Sequence, residues 1–427
     1  MKVYFYTLGC KVNQYETQEM SELLEKNGYT IIYNATQADV AVVNSCTVTA
    51  ESVRKTRQTI RKLKKQNPDN IIILTGCASQ AEPQIINDLP EVDIFMGNRS
   101  NGKIAEALGD FLQHGQKLTK RTEHKTGDPF VCLGISKFDE HTRAFLKIQD
   151  GCDRFCSYCL IPTARGRSRS KSLDDIDKEL KALEQNGYSE IVFVGINLSD
   201  YGKGTPYSLP DALRLAEKYE GIKRVRLGSL EPDHITDEMI EKLKAITKLC
   251  PQFHISLQSG CDSVLKAMNR HYTSEEYEHL ANKLREAFPD ATITTDVLVG
   301  FPTETEEDFN TTSEFVKKIG FEKVHVFPYS VREGTRAAKM EQLTKTVKED
   351  RASRLSAITD EIREKFLKKQ IGKTVEVLFE AEKNDYCEGY TKNYTPVRVY
   401  SENKCKGEFL MVEITQAEKD YCVGKFV

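Results

Sequence analysis

The sequence predicts an α/β protein in three parts: an N-terminal part with a parallel sheet, a central partial (β/α) barrel and a small C-terminal β-barrel. Over most of the 427 residues, short apolar β-branched runs alternate with helical patterns, which indicates parallel strands joined by helices. The tail instead carries short strand patterns with no helix between them. The chain is 39% hydrophobic and 29% charged, with a net charge of −3. A globular protein is therefore expected, and its bulk charge gives no sign of nucleic-acid binding.

The individual elements follow from these patterns in chain order. The N-terminal part is expected to contain strands at 2–8, 40–43 and 71–74 and a helix at 14–26, and a polar stretch at 116–128 predicts a linker. The central part is expected to contain strands at 144–149, 191–194, 225–227, 254–257, 293–299 and 324–327, with helices at 173–185, 304–318 and 345–369. The tail is expected to form strands at 374–379, 395–400 and 408–414. These patterns predict domains at 1–115, 138–368 and 369–427.

Three cysteines in one short loop carry the strongest chemical signal. Cys152, Cys156 and Cys159, here called the loop cysteines, have the spacing C-x3-C-x2-C. Three thiolates this close wrap one face of a cubane iron–sulfur cluster and leave one iron without a protein ligand. An iron with an open position binds a substrate or cofactor. The loop follows the first central strand, and α/β folds place their chemistry at the C-terminal ends of strands.

Zinc binding and disulfide formation are the alternative uses of the loop cysteines. A zinc site normally has four ligands, and the nearest histidine, His141, lies outside the loop. Disulfides are disfavoured because the chain begins Met-Lys-Val-Tyr-Phe without an apolar signal segment, so a reducing cytoplasmic location is expected. No apolar run has the length of a membrane span, and no membrane partner is expected. Twelve cysteines in such a chain favour metal chemistry.

A second set of three cysteines follows three predicted strands of the N-terminal part. Cys10, Cys46 and Cys77, here called the N-terminal cysteines, are far apart in sequence. Strand ends of one parallel sheet meet at one edge, so the three thiols are expected to lie close together and to bind a second cluster. The alternative is three ordinary buried cysteines. The remaining six, at positions 132, 250, 261, 387, 405 and 422, show no spacing pattern and are interpreted as packing residues.

The motifs together resemble a known family. The C-x3-C-x2-C loop resembles the signature of radical S-adenosylmethionine (SAM) enzymes, and the β-rich tail resembles a TRAM domain. With the N-terminal cysteines, the whole chain resembles the methylthiotransferases. The opening Thr-Leu-Gly-Cys-Lys-Val-Asn-Gln-Tyr-Glu resembles the branch that acts on N6-threonylcarbamoyladenosine in tRNA.

This resemblance implies two 4Fe–4S-type clusters and SAM as cofactors. The cluster of the loop cysteines, the catalytic residues, would cleave SAM to a 5′-deoxyadenosyl radical. The cluster of the N-terminal cysteines would handle sulfur. A methylthio group would then be added to C2 of the adenine in the anticodon loop.

The resemblance also implies the remaining site residues. Phe155 would shield the cluster, and eight strand-end residues match positions that contact SAM in radical SAM folds: Gly195, Asn197, Ser229, Glu231, Gln258, Ser259, Asp296 and Gly300. Each of these could instead serve an ordinary turn. Arg165, Arg167 and Arg169 follow the cluster loop and are expected to contact tRNA phosphates.

The expected partners are tRNA carrying N6-threonylcarbamoyladenosine and an electron donor such as a flavodoxin or ferredoxin, with the protein as a monomer. Two alternative substrates remain: isopentenyladenosine in tRNA and an aspartate of a ribosomal protein. An alternative of another class is a non-catalytic iron–sulfur protein that binds RNA or carries electrons. The open iron argues against that alternative, because a pure electron carrier usually has all of its irons ligated.

Overall fold

The computed structural model describes residues 1–138, 141–383, 385–401 and 404–427. Three sheet systems follow one another along the chain, as the sequence predicts, so the α/β class with a C-terminal β-barrel is confirmed. Among the residues that the structure describes, no helix combines the length and apolar character needed to span a membrane.

The N-terminal part is a six-stranded parallel sheet in the order β2-β1-β3-β4-β5-β6. Its strands are β1 (Lys2–Thr7), β2 (Thr30–Ile32), β3 (Val40–Ser45), β4 (Ile71–Gly76), β5 (Ile94–Met96) and β6 (Leu118–Lys120). Its helices are α1 (Lys11–Lys26), α2 (Ala50–Gln66), α3 (Cys77–Ala81) and α4 (Ile104–His114). Every residue of β3 is buried, because helices cover both faces of the sheet and form one apolar core on each side.

The central part contains nine strands, two of which form a separate short pair. The strands are β7 (Ala144–Lys147), β8 (Gln149–Asp150), β9 (Arg169–Ser170), β10 (Glu190–Val194), β11 (Arg224–Leu227), β12 (Ser229–Leu230), β13 (Gln252–Ile255), β14 (Thr292–Val299) and β15 (Lys323–Pro328). The helices are α5 (Ile161–Arg165), α6 (Leu173–Gln185), α7 (Leu209–Arg214), α8 (Asp237–Lys244), α9 (Asp262–Ala267), α10 (Ser274–Ala287), α11 (Glu306–Ile319) and α12 (Lys345–Lys368).

These strands form an incomplete barrel. Parallel sheets β7-β10-β11 and β12-β13-β14-β15 are continuous in the chain through Gly228, and β8 pairs with β9. Strands β7 and β15 are therefore the two edges, and α1 of the N-terminal part packs against β7. The register places Val192 beside Arg226 and His254 beside Thr294, so these side chains line one face of the curved sheet.

The tail forms a closed barrel in the order β16-β17-β18-β20-β19. Its strands are β16 (Thr374–Lys383), β17 (Tyr386–Thr391), β18 (Pro396–Tyr400), β19 (Phe409–Ala417) and β20 (Cys422–Phe426). The turn between β17 and β18 packs on the N-terminal ends of the central strands: Thr292 Oγ1 donates to the Asn393 carbonyl at 2.7 Å. Arg226 Nη2 donates to the Thr391 carbonyl at 2.8 Å. The small barrel thus closes one end of the central part.

The structure corrects several details of the sequence prediction. The expected linker at 116–128 contains β6, which extends the N-terminal sheet at its edge. Strands β17 and β20 were not predicted from the sequence, and the strand expected at 254–257 lies two residues earlier, at β13. A disulfide joins Cys387 to Cys405, whereas both were expected only to pack.

Candidate active site

The N-terminal cysteines lie at the ends of three neighbouring strands. Cys10 follows β1, Cys46 follows β3 and Cys77 begins α3 directly after β4. Gly9 has φ +119°, and a Cβ there would lie 3.0 Å from Cys46 Cβ. Gly76 has φ +101°, and a Cβ there would lie 2.3 Å from the Ser45 carbonyl oxygen. Both positions need glycine, and this backbone brings the three thiols to one edge of the sheet.

Each N-terminal cysteine has a polar contact at sulfur. The Cys10 thiol donates to Asn13 Oδ1 at 3.3 Å, and the Val48 N–H donates to Cys46 Sγ at 3.5 Å. Arg165 Nε donates to Cys77 Sγ at 3.2 Å. Burial raises the pKa of Cys77 to about 12, with Arg165 opposing and the sulfurs of Cys46 and Cys10 adding to the shift. Without metal, this thiol is therefore protonated at neutral pH, and ligation would release its proton.

The loop cysteines lie between β8 and α5 and are fixed by the backbone. The Cys152 N–H donates to the Gly166 carbonyl, and the Cys159 N–H donates to the Cys156 carbonyl, both at 3.0 Å. Burial raises the pKa of Cys152 to about 12, and the Cys156 sulfur contributes to the same shift. Burial also raises the pKa of Cys159, again with Cys156 contributing. These electrostatic effects indicate that the three thiols are neighbours.

Both cysteine sets fit an iron–sulfur cluster better than a single metal ion. Among the described residues, no three His, Cys, Asp or Glu side chains are arranged to hold one metal ion. In a cubane cluster, each thiolate binds a different iron, so the sulfurs stand around the cluster and do not converge on one point. Three neighbouring thiols without a fourth protein ligand match this requirement, whereas tetrahedral zinc does not.

One cavity of about 770 Å³ lies between the N-terminal part and the central partial barrel, and its described lining includes Cys10 but none of the loop cysteines. It is lined by Cys10 and Lys11 on the N-terminal side and, in the central part, by Gly195 after β10, Ser229 at the start of β12 and Asp296 within β14. His254 lies on its wall, where His254 Nε2 is 3.3 Å from Asp296 Oδ2. A substrate within this cavity would therefore reach both Cys10 and the strands of the partial barrel.

The structure separates the strand-end residues into two groups. Near the cavity, Asn197 is only 2% exposed, and neither side-chain amide atom has a hydrogen-bond partner in the described structure. Such a buried orphan amide fits a polar ligand like SAM. Ser259 is instead bonded to Thr312, with their hydroxyls 3.1 Å apart, and the Gly300 N–H donates to Glu304 Oε1 at 2.8 Å. These two residues have clear packing roles.

The remaining expected SAM and cluster residues lie around the loop. Phe155 is exposed, has φ +51° and lies with its ring 4.5 Å from the Arg167 guanidinium. Gln258 has φ +66°, and its N–H donates to the Asp296 carbonyl at 2.9 Å. Glu231 forms an ion pair with Arg270. Phe155 is therefore exposed at the cysteine loop, and its shielding role stays a prediction.

The three arginines expected to bind phosphate have different environments. Arg165 is 1% exposed, and its guanidinium donates to both carboxylate oxygens of Glu16 at 2.7 and 2.9 Å. This burial contradicts the phosphate contact expected of Arg165. Arg169 is mostly buried and donates to the Arg165 carbonyl at 2.8 Å. The Arg167 side chain is 52% exposed, so it remains available to a phosphate.

Two arginines contact cysteine sulfurs, a role that the sequence did not indicate for either of them. Arg270 has a buried side chain and donates to Cys156 Sγ at 3.3 Å, while its ion pair with Glu231 holds it in place. Arg165 likewise donates a hydrogen bond to Cys77 Sγ. Arginine before a His-Tyr pair carries no local signal for such a role. Only the fold brings Arg270, 114 residues away, to Cys156.

Comparison with known proteins gives family matches over most of the chain. The Radical SAM superfamily matches residues 146–316, and the Uncharacterized protein family UPF0004 matches residues 2–97. Threonylcarbamoyladenosine tRNA methylthiotransferase MtaB of Bacillus subtilis is 39% identical over 100% of this chain and 96% of its own length. A tRNA-2-methylthio-N(6)-dimethylallyladenosine synthase of Clostridium tetani is 38% identical over 89% of this chain and 85% of its own.

A solved structure supports the fold. The radical S-adenosylmethionine methyltransferase TsrM from Kitasatospora setae has a TM-score of 0.56 at 14% identity, covering 79% of this chain and 75% of that chain. The shared architecture spans more than the central barrel alone.

Proposed function

Because the chain belongs to the radical SAM methylthiotransferase family, we propose that it adds a methylthio group to C2 of N6-threonylcarbamoyladenosine in the anticodon loop of tRNA. The observation that carries this proposal is a cavity lined by both Cys10 and the central residues Gly195, Ser229 and Asp296. A base held there would lie beside Cys10 of the N-terminal set and beside the strands of the partial barrel. The full-length similarity to the Bacillus subtilis enzyme supports the choice of base.

Each cysteine set has one task in this proposal. The loop cysteines would hold a 4Fe–4S cluster together with SAM, and the N-terminal cysteines would hold a second cluster. When bound, these groups supply the radical that removes hydrogen from C2 and the sulfur that replaces it. No side-chain base is required, because an aromatic C–H is too weak an acid for one to deprotonate.

The protein's own residues position these groups. Asn197 offers a buried amide to the polar end of SAM. Arg270 donates to Cys156, and Arg165 donates to Cys77, so each site has one cation at a cysteine sulfur. A positive charge next to a thiolate stabilises its ionised form. These arginines thus favour ligation at both sites.

The tRNA contacts and cellular setting complete the proposal. Arg167, exposed beside the loop, would contact a phosphate, and a modified base in an anticodon loop is already unpaired, so little energy is needed to extrude it. We also propose domains at 1–115, 138–368 and 369–427. An electron donor such as a flavodoxin or ferredoxin, a monomeric state and a cytoplasmic location belong to the same proposal.

Mass spectrometry of tRNA nucleosides tests this function. A strain lacking the gene should lose 2-methylthio-N6-threonylcarbamoyladenosine and accumulate the unmethylthiolated nucleoside. Wild-type protein should restore the product, and a Cys10→Ala, Cys46→Ala, Cys77→Ala variant should not. Loss of the methylthiolated dimethylallyl nucleoside instead would favour the activity named for the Clostridium tetani relative. An unchanged nucleoside profile would contradict both.

A further inference from the structure

Lys11 is a cation without a carboxylate partner in the cavity wall. It is the first residue of α1, directly after Cys10, and its side chain is exposed to the cavity. Lys11 makes no hydrogen bond or ion pair with any residue that the structure describes. Its Nζ lies 5.8 Å from the centre of the Phe145 ring. An ammonium group in such a place is free to bind an anion that enters the cavity.

The neighbouring charges strengthen this preference. Arg143 and Arg226 line the same cavity, and both are paired with one buried carboxylate, Glu190, at 3.5 and 2.7 Å. Arg143 also pairs with Glu380 at 3.1 Å. Glu190 and Glu380 are therefore already paired with arginines. Among the described residues, Lys11 has no carboxylate within ion-pair distance and lies beside these two further cations.

We propose that Lys11 binds the carboxylate of the N6-threonylcarbamoyl group and so selects an acidic N6 substituent over a hydrocarbon one. This inference rests on the proposed function. In adenine, N6 is attached to C6, and only N1 lies between C6 and C2. A base whose C2 approaches the site of Cys10 therefore brings its N6 substituent close to the adjacent residue. A charged substituent gains an ion pair with Lys11, whereas a dimethylallyl group would leave that ammonium unpaired.

A second cavity lysine provides a matched control. Lys323, at the start of β15, also lines the cavity and makes no ion pair among the described residues. It lies beside Thr294 in the sheet register and far from Cys10 in the chain. If C2 of the base lies near Cys10, the carboxylate on N6 lies near Lys11, so its binding should depend on Lys11 and not on Lys323. General attraction of RNA to positive charge should depend equally on both.

The test compares two anticodon stem-loop RNAs. One carries N6-threonylcarbamoyladenosine, and the other carries the same nucleoside with its carboxylate replaced by a neutral carboxamide. Dissociation constants are measured by fluorescence anisotropy with anaerobically reconstituted protein. Wild type should bind the acid about 10- to 100-fold more tightly than the amide, the range for a hydrogen bond to a charged group. Lys11→Met should abolish this ratio, Lys11→Arg should keep most of it, and Lys323→Met should leave it unchanged.

The outcomes separate this inference from the proposed function. A Lys11→Met variant with the wild-type acid-to-amide ratio would overturn the role of Lys11, and so would an equal loss in Lys323→Met. Formation of the methylthio product is followed in parallel by mass spectrometry. Product on the acid RNA with no preference over the amide would leave the function standing and remove the inference. Absence of product with wild type would contradict the proposed function. The acid-to-amide binding ratio would still test the role of Lys11 in that case.

Discussion

Replacing Arg165 with methionine should destabilise the protein much more than replacing the nearby Arg167. Arg165 is buried and joins three groups: Glu16, Asp150 at 3.1 Å and Cys77. Burial alone would lower the pKa of Arg165, but Cys77, Glu16 and Asp150 raise it well above its usual value. The guanidinium is therefore permanently charged. Methionine keeps much of the side-chain volume but removes the charge.

The size of the effect follows from these contacts. Removing one partner of a buried ion pair costs about 3–5 kcal/mol, because the other charge is left without compensation. Lys147 remains 3.0 Å from Glu16 and 3.4 Å from Asp150, so part of the compensation survives. The lower end, about 3 kcal/mol, is expected. For Arg167, which is half exposed and 3.4 Å from Asp153, about 0–1 kcal/mol is expected.

Urea unfolding of the iron-free proteins, followed by circular dichroism, measures this difference. The Arg165→Met variant should show a clearly lower midpoint in its first transition than wild type, and Arg167→Met should nearly overlap with wild type. Equal midpoints for the two variants would refute the reasoning, since they would show that the buried network contributes no more than an exposed pair.

Three further predictions concern iron, pH and RNA. Reconstituted wild type should bind about eight irons and each triple cysteine-to-alanine variant about four; unchanged iron without the N-terminal cysteines would exclude them as ligands. Burial raises the pKa of Glu19 from 4.5 to about 7. Between these two pH values, the folded protein keeps a proton on Glu19 that the unfolded chain releases. The free energy of unfolding should therefore fall by about 3 kcal/mol as pH rises from 4.5 to 7. Glu19→Gln should flatten this dependence of stability on pH. A dependence that stays equally steep in the variant would show that Glu19 is not the group responsible. Arg167→Ala should reduce the salt slope of tRNA binding by about 0.7–0.9, the share of one phosphate contact, and an unchanged slope would remove Arg167 from the RNA path.

Elements with a strong local pattern could be predicted from the sequence. The apolar run of β3 and the charged helix α12 lie within a few residues of where the patterns place them. Strand β6 was mistaken for a linker because a three-residue edge strand, Leu118–Lys120, has too few residues to show alternation. In β17, buried positions alternate with partly exposed ones, but they include glycine and threonine and so carry no apolar signal.

The candidate site likewise contains residues whose placement the sequence indicates and residues whose placement only the fold determines. The closeness of the N-terminal cysteines could be predicted because strand ends in a parallel sheet converge whatever their separation in sequence. The role of Arg165 could not be found, because its burial depends on Glu16, 149 residues away. An arginine that precedes glycine in a polar, arginine-rich segment normally indicates a surface contact. Likewise, Lys11 faces the cavity only because α1 packs against β7 of the central part.

Product analysis of the variant that lacks the N-terminal cysteines tests the division of labour between the two cysteine sites. Reduced, reconstituted protein is incubated with SAM and threonylcarbamoylated tRNA, and both 5′-deoxyadenosine and the methylthio nucleoside are quantified by mass spectrometry. This variant should still release 5′-deoxyadenosine but form no methylthio nucleoside, whereas the variant that lacks the loop cysteines should form neither. Full methylthio product without the N-terminal cysteines would contradict the role assigned to their site.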